Sequence, residues 1–223
     1  MIPLVVLLAL PGPAVQAQVP PAGLWAGYQE VQGFQVLPVM GKVATRSRTW
    51  LLATLAPTPD GGFTLTERGC MVDFKPVLGV QVEMPAATVA RLPTTLATFQ
   101  VEGADFVAPG WQAGWGTEDV DGDGHPGVTL SVRAPLCGGQ LYVASTATTR
   151  ARARMHEGAL EARIAIDVEQ TMLGAEGACL REVASNETQH LTGWLRLVPV
   201  PAGTTCPTDP AVWPALPKQA PER

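Results

Sequence analysis

The chain has 223 residues, of which 46% are hydrophobic, 16% are charged and 6% are aromatic, and its formal net charge at pH 7 is −5. Its length is that of one sizeable folded domain. Nucleic-acid-binding proteins concentrate Lys and Arg on one surface. Because the charge is acidic and the basic residues are scattered, we expect no nucleic-acid partner.

The first 17 residues are typical of a secretory signal peptide. An apolar run from Ile2 to Leu10 is followed by a Pro-Gly-Pro break, and Val15 and Ala17 supply the small residues at positions −3 and −1 of a cleavage site. The run is far shorter than the roughly 20 residues that span a bilayer. The sequence therefore predicts a signal peptide at 1–17 and a secreted or periplasmic protein that does not span a membrane.

Alternation of apolar and polar residues predicts β-strands through most of the mature chain. The first clear hairpin joins Gly41–Ala56 to Phe63–Phe74 through a turn rich in Pro, Asp and Gly. The segment Ala86–Leu92 is the only predicted helix. Further predicted strands are Gly27–Met40, Val77–Glu83, Thr95–Glu102, Val128–Arg133 and His190–Pro199.

Between the strand start at Val128 and the tryptophans before it lies the stretch "DVDGDG", which begins at Asp119. Asp119, Asp121 and Asp123 occupy positions 1, 3 and 5 of a calcium-type loop, and Gly124 falls at position 6, where such a loop turns sharply. Calcium prefers six to eight oxygen ligands, and alternate carboxylates in a tight turn converge on one point. This spacing predicts a cation site.

The stretch resembles the DxDGDG loops of EF-hands, dockerins, thrombospondin type 3 repeats and integrin-like propeller repeats, over about nine residues. This resemblance implies one structural Ca²⁺, bound by Asp119, Asp121, Asp123, the backbone carbonyl of His125 and Thr129. Leu130 stands at position 12, where an EF-hand has a glutamate, and the flanks are strand-like, so an EF-hand fold is excluded. The alternative interpretation is an acidic surface turn that binds nothing. The wider pattern, from the tryptophans to "CGG", is similar to exported bacterial proteins.

The clearest predicted hairpin runs from Gln140 to Glu169, because both halves alternate strictly. A two-residue turn at Glu157–Gly158 places Met155 opposite Leu160, so that the apolar faces of the two strands match. One face carries small residues, which either leave a cavity for an apolar ligand or make room for large side chains such as Phe99, Trp50 and Trp194. These small residues are Ala147, Thr149, Ala151, Ala153 and Ala162.

The other face of this hairpin carries Arg150, Arg152 and Arg154. The same register places Arg152 opposite Arg163, a repulsive pair that Glu161 or Asp167 must offset. A row of guanidinium groups is a candidate anion-binding stripe. The interpretation we favour is a solvated outer face that is balanced by acidic neighbours.

Four cysteines, Cys70, Cys137, Cys179 and Cys206, remain after the signal peptide, and an even count in an exported chain predicts two disulfides. Proximity along the chain favours Cys70–Cys137 and Cys179–Cys206. With neither a CxxC motif nor a Cys/His cluster, no zinc site is expected. Residues 201–223 are rich in proline, and this composition predicts an extended tail.

Together these elements predict an all-β fold with a domain over 18–200. Long antiparallel strands favour a single β-barrel of lipocalin-like size over a two-sheet sandwich. No nucleophile motif and no histidine cluster are present. The leading function is therefore an exported non-catalytic binding or structural module with one structural calcium loop. The alternatives are a lipocalin-like carrier of a small apolar ligand and, after it, a secreted hydrolase.

Overall fold

The computed structural model describes residues 17–37, 41–135 and 137–207. Apart from Ala17, the predicted signal peptide lies outside the described residues, as does the tail from residue 208 onward. The strands are β1 (Gly23–Leu37), β2 (Gly41–Pro57), β3 (Phe63–Phe74), β4 (Gln81–Glu83), β5 (Thr95–Glu102), β6 (Asp105–Trp115), β7 (Val128–Arg133), β8 (Gly139–His156), β9 (Ala159–Glu176) and β10 (Glu187–Pro199). Two short helices, α1 (Ala86–Val89) and α2 (Ala178–Val183), lie between strands.

These strands form one antiparallel sheet in the order β4-β7-β8-β6-β5-β3-β2-β1-β10-β9. A further pairing between β8 and β9 joins the two arms and partly closes the sheet into a ring. We use "the ring" for β1, β2, β3, β5, β6, β8, β9 and β10. The long β8 binds β7 through its first residues and β6 through its later ones, so β7 and β4 extend beyond the ring. The all-β class predicted from the sequence is confirmed.

Both predicted hairpins are present, and the register of the second is the predicted one. Met155 pairs with Leu160 and Arg152 pairs with Arg163 in the β8–β9 ladder. The turn residues Glu157 and Gly158 have φ angles of 49° and 77°. Two successive positive φ angles are those of a type I′ turn, whose twist matches that of a β-hairpin.

Helix α2 was not predicted, and of β6 only the strand-like flank before the acidic loop was predicted. The strand β6 contains Pro109 and Gly110, which interrupt the alternation, and its register with β8 shifts between Ala108 and Trp111. A bulge of this kind hides a strand from a period-2 pattern. Helix α2 spans six residues, which is too short for a helical period to be visible.

The disulfide pairing predicted from chain proximity is wrong. The structure pairs Cys70 with Cys206 and Cys137 with Cys179, with Cα–Cα distances of 5.2 and 5.9 Å. Strand pairing explains both bonds. The β8–β9 ladder brings the segment before β8 beside the segment after β9. The neighbours β10, β1, β2 and β3 carry the end of the chain back to Cys70, although the two cysteines are 136 residues apart.

The main core fills the interior of the ring. The small residues Ala151, Ala153 and Ala162 belong to the same buried cluster as Phe63, Phe99 and Phe106. Of the large side chains expected to occupy the space beside them, Phe99 does so, whereas Trp50 packs in a separate cluster and Trp194 contacts Tyr28. Small and large side chains are thus complementary here, as close packing requires.

The two ends of the ring differ. At the hairpin end, tight turns after Pro57, Glu102 and His156 connect β2 to β3, β5 to β6 and β8 to β9. At the loop end lie β4, α1, the segment 116–127, β7 and α2. Alternate side chains of each strand point into the ring. These side chains are apolar near the hairpin end and become polar toward the loop end. The inward-facing polar residues there include Thr45, Glu67, Thr149 and Glu187.

Candidate metal centre in the acidic loop

The acidic loop, residues 116–127, joins β6 to β7 at the loop end. Its base is closed by two backbone hydrogen bonds, from Val120 N–H to the Gly127 carbonyl (3.1 Å) and from Gly127 N–H to the Glu118 carbonyl (2.9 Å). Gly127 has a φ of +76°, and a side chain there would collide with the backbone carbonyl of Val143 in β8. Glycine is therefore required where the loop meets the sheet.

Asp119 organises the turn by accepting hydrogen bonds from three successive backbone amides. Its Oδ1 accepts from Gly122 N–H (2.6 Å) and Asp123 N–H (3.1 Å), and its Oδ2 accepts from Gly124 N–H (2.9 Å). Short polar side chains commonly bond to backbone groups a few residues ahead in turns. The two glycines have positive φ angles of 70° and 90°, which such a tight turn needs.

Thr129, at the start of β7, connects the other two aspartates. Its backbone N–H donates to Asp121 Oδ2 (2.9 Å), and its hydroxyl donates to Asp123 Oδ2. Asp123 also accepts from His125 N–H (2.9 Å). The Thr129 hydrogen bond is the main cause that lowers the pKa of the Asp123 carboxyl below its ordinary value of 3.8. Asp123 therefore carries its negative charge over the whole neutral range.

The three carboxylates converge as the spacing predicted. One oxygen from each of Asp119, Asp121 and Asp123 can be chosen so that all lie within 4.8 Å of one another. The Oδ1 atom of Asp121 is buried and has no hydrogen-bond partner among the described residues. A buried carboxylate oxygen without a partner is costly unless a ligand satisfies it. The cluster is thus a candidate cation site in which one carboxylate oxygen accepts no hydrogen bond from the described residues.

Helix α1 and the turn after it support the loop from a distant part of the sequence. The Thr88 hydroxyl donates to Asp121 Oδ2 (3.3 Å), and an Arg91 N–H donates to the backbone carbonyl of Asp121. Sequence reasoning did not find these two residues, because they lie about thirty positions earlier and carry no motif. They tie the loop to a segment whose Val89 is buried against β3.

His125 contributes a side chain that points to β8. Its ring stacks on Tyr142, with centroids 4.2 Å apart and planes at 8°, and its Nε2 lies 3.3 Å from the tyrosine hydroxyl. Burial, followed by the hydrogen bond and charge of Glu176, raises the pKa of Tyr142 to about 12. The imidazole is therefore engaged with the sheet, and the contribution predicted for His125 remains that of its backbone carbonyl.

The arginine row on β8 is matched by acidic neighbours. Arg150 pairs with Asp167, and Arg152 pairs with Glu102 and with Asp105 (3.1 Å). Glu161, which we expected to balance this row, instead pairs with Arg196 of β10. The acidic residues of the β5–β6 hairpin take its place, because β6 lies beside β8 in the ring. These ion pairs support the interpretation of the row as a solvated outer face.

Comparison with protein-family models, with curated proteins and with solved structures found no significant match to this chain. In the part of the chain that the structure describes, none of the helices has the length and apolar character needed to cross a bilayer. The two disulfides are typical of an oxidising compartment.

Proposed function

We propose that the protein is an exported, non-catalytic binding or structural module in which the ring forms a β-barrel scaffold and the acidic loop holds one structural Ca²⁺. The signal-like N-terminus supports export, and two disulfides support an oxidising destination. The ring supports a barrel, because each of its eight strands pairs with two others of the eight to make a circuit. The candidate site for a bound cation is the aspartate triad of the acidic loop.

The observation that carries the calcium assignment is the buried, unpartnered Oδ1 of Asp121 within the aspartate triad. Asp119 accepts hydrogen bonds from backbone amides, and Asp123 accepts one from the Thr129 hydroxyl. These bonds fix the directions of both carboxylates. Three fixed carboxylates repel one another unless a cation lies between them. The set of oxygen donors without sulfur or imidazole nitrogen selects a hard cation.

Calcium suits the loop better than magnesium. Mg²⁺ demands near-octahedral geometry and keeps several waters, whereas Ca²⁺ accepts an irregular shell of six to eight oxygens. In the proposed site, the triad is completed by the Thr129 hydroxyl, the His125 carbonyl and water. Bound there, calcium would neutralise the triad and tie β6, β7 and α1 together.

The packed interior favours this module over a carrier of an apolar ligand. Such a carrier needs an apolar cavity of roughly 300 Å³ or more inside the ring. The apolar half of the ring is instead occupied by Phe63, Phe99 and Phe106. The ring centroid of Phe63 lies 4.6 Å from that of Phe99 and 5.1 Å from that of Phe106. We therefore place the ligand chemistry at the loop end.

The test is thermal unfolding of residues 18–223 in EDTA, in about 10 mM Ca²⁺ and in the same concentration of Mg²⁺. Extracellular calcium modules have Kd values of roughly 10⁻⁴ to 10⁻³ M, so mass action adds about 1.4 to 2.7 kcal/mol of stability. For a domain of this size the expected rise in Tm is about 3 to 10 °C. The rise should occur with calcium and be smaller with magnesium.

A matched pair of variants assigns the effect to the loop. Asp121→Asn with Asp123→Asn should abolish the calcium-dependent rise. Asp73→Asn with Glu83→Gln removes the same formal charge from half-buried positions outside the loop and should preserve the calcium-dependent rise. Equal melting of the unsubstituted protein in EDTA and in calcium would disprove the calcium site, and the loop would then be an acidic turn.

A further inference from the structure

A cleft opens in the wall of the ring between β5 and β6. These neighbours pair only through Gln100–Val107, Val101–Phe106 and Glu102–Asp105, next to their tight turn. Beyond the bulge at Pro109 and Gly110, the rest of β6 pairs with β8 on one edge, and the rest of β5 pairs with β3. The facing edges of the two strands diverge, and a cleft of about 390 Å³ lies between them.

The cleft is lined by uncharged hydrogen-bonding groups. Its polar side chains are those of Thr94, Thr95, Gln112 and Thr146, and no charged side chain belongs to the lining formed by the described residues. The Thr95 hydroxyl donates to Glu67 Oε1 (3.0 Å), so the lone pairs of that hydroxyl remain free to accept. The lining thus offers donors and acceptors without a net charge.

Trp115 is the aromatic residue in the lining of this cleft, and its side chain packs against the apolar cluster of Val128, Leu130 and Val143. Its indole N–H donates to the Val143 carbonyl (2.7 Å), which fixes the orientation of the half-buried ring. The lining beside it also includes Ala113, Gly114 and Gly116, whose side chains are small or absent. Because this edge of β6 has no partner strand among the described residues, its backbone N–H and C=O groups add further hydrogen-bonding capacity.

We propose that the β5–β6 cleft binds a neutral, hydroxyl-rich ligand, namely a short uncharged glycan. Such a ligand has hydroxyl groups for the threonines, the glutamine and the strand edge, and C–H faces that pack on an indole ring. An anion would find no positively charged side chain in the lining. A purely apolar ligand would leave its hydrogen-bonding groups without partners, at a cost in affinity.

This inference rests on the proposed role as a binding module and not on the calcium loop. Although Trp115 and Gly116 precede the loop directly, the cleft residues are distinct from the aspartate triad. Glycan binding is therefore expected both in EDTA and in calcium. The melting experiment measures the effect of calcium with no glycan present. Failure of the calcium proposal is therefore distinguishable from failure of the glycan proposal.

The experiment is an NMR titration of ¹⁵N-labelled residues 18–223 with neutral trimers of glucose, mannose and N-acetylglucosamine, and with a galacturonic acid trimer as the charged comparison. We expect saturable shifts of the amides of residues 94–95 and 112–116 with at least one neutral trimer. Gln112→Ala removes an exposed side chain and should weaken binding about fivefold, the effect of one hydrogen bond. Trp115→Ala should weaken it further.

Two control variants keep the test specific. Trp111→Phe alters a tryptophan that packs beside Phe99 in the core and does not line the cleft, and Gln100→Ala removes an exposed glutamine of β5 outside the cleft. Both should leave the affinity unchanged. Absence of saturable shifts with all three neutral trimers overturns the proposal. So does binding that Gln112→Ala and Trp115→Ala both leave intact, or preference for the charged trimer.

Discussion

The hairpin end and the loop end of the ring are built from the same strands but on different principles. At the hairpin end the inward side chains are large and apolar, and Phe63, Phe99 and Phe106 are at most 1% exposed. At the loop end the same faces carry Thr45, Glu67 and Glu187, the β6–β7 connection holds the candidate metal centre, and the cleft opens between β5 and β6. The difference indicates that the apolar core is concentrated at one end, whereas the other end carries the candidate metal centre and the cleft.

Two half-buried carboxyl groups lie where the inward face changes from apolar to polar side chains. Burial raises the pKa of Glu67, which has the Thr95 hydroxyl as its hydrogen-bond partner. Burial also raises the pKa of Glu187, whose Oε2 accepts from the Gln35 amide (2.9 Å). Residues of this kind reduce stability where they are charged. Their presence toward the loop end is consistent with an end that is not optimised for packing.

The largest expected effect is at the hairpin end. Phe99→Ala removes a ring that stacks on Phe63 at a centroid distance of 4.6 Å, and it should lower the free energy of unfolding by about 3 to 5 kcal/mol. Thr98→Ala, on the exposed face of the same strand, should change it by no more than about 0.5 kcal/mol. Urea denaturation measures both. Similar values for the two variants would contradict the assignment of the core to this end.

The next largest effects on stability concern the two disulfides. Cys70–Cys206 links β3 to the segment after β10, and Cys137–Cys179 lies at the loop end. Removing Cys70–Cys206 by double Ala substitution should cost more than removing Cys137–Cys179, because it releases a loop of 136 rather than 42 residues. Both costs should lie at about 2 to 5 kcal/mol. Denaturation of the two double variants gives the order, and peptide mapping of the oxidised protein checks the pairing. A Cys70–Cys137 peptide would contradict the structure.

A smaller effect is expected in the acidic loop. Thr129→Val keeps the shape of a buried side chain but removes the hydroxyl that donates to Asp123, and in EDTA it should cost about 1 kcal/mol. The folded pKa of Asp123 is lowered, so its contribution is present above the ordinary value of 3.8 and is lost as pH falls through the folded pKa. Denaturation at neutral and acidic pH should therefore show a smaller difference between variant and parent in acid. A constant difference would argue against this hydrogen bond.

The smallest effect concerns Glu67. A carboxyl whose folded pKa is raised binds its proton more tightly in the folded state, so stability falls as pH rises from its ordinary value of 4.5 through the folded pKa. Glu67→Gln removes this titration and should make the protein slightly more stable at neutral pH than the parent. Below pH 4 the two should converge. A neutral-pH stability below that of the parent would show that the carboxylate is needed in the fold.

The strands were predictable where the pattern is local. Thr95–Glu102 and Val128–Arg133 have the predicted bounds, and the β8–β9 register follows from matching apolar faces around a two-residue turn. The first part of the strand β6 escaped prediction, because Pro109 and Gly110 break its alternation. The short helix α2 escaped because six residues carry no visible period. Local sequence predicts an element only where its period is uninterrupted.

The candidate metal centre was predictable in part for the same reason. The DxDGDG spacing places Asp119, Asp121 and Asp123 within one turn, and their convergence is confirmed. Thr88 and Arg91, which bond to Asp121, come from α1 and the turn after it, and nothing local identifies them. Neither does any motif identify the cleft, which exists because β5 and β6 separate after a bulge.

The all-β class, the register of the β8–β9 hairpin and the acidic triad could be predicted from the sequence, because each depends on residues within one strand pair or one turn. The partial closure of the sheet, the disulfide partners and the surroundings of Asp121 became visible only in the folded molecule. These depend on which strands become neighbours across the ring, and such long-range pairing brings together residues whose separation along the chain carries no signal. Cys70 and Cys206, 136 residues apart, are the clearest instance.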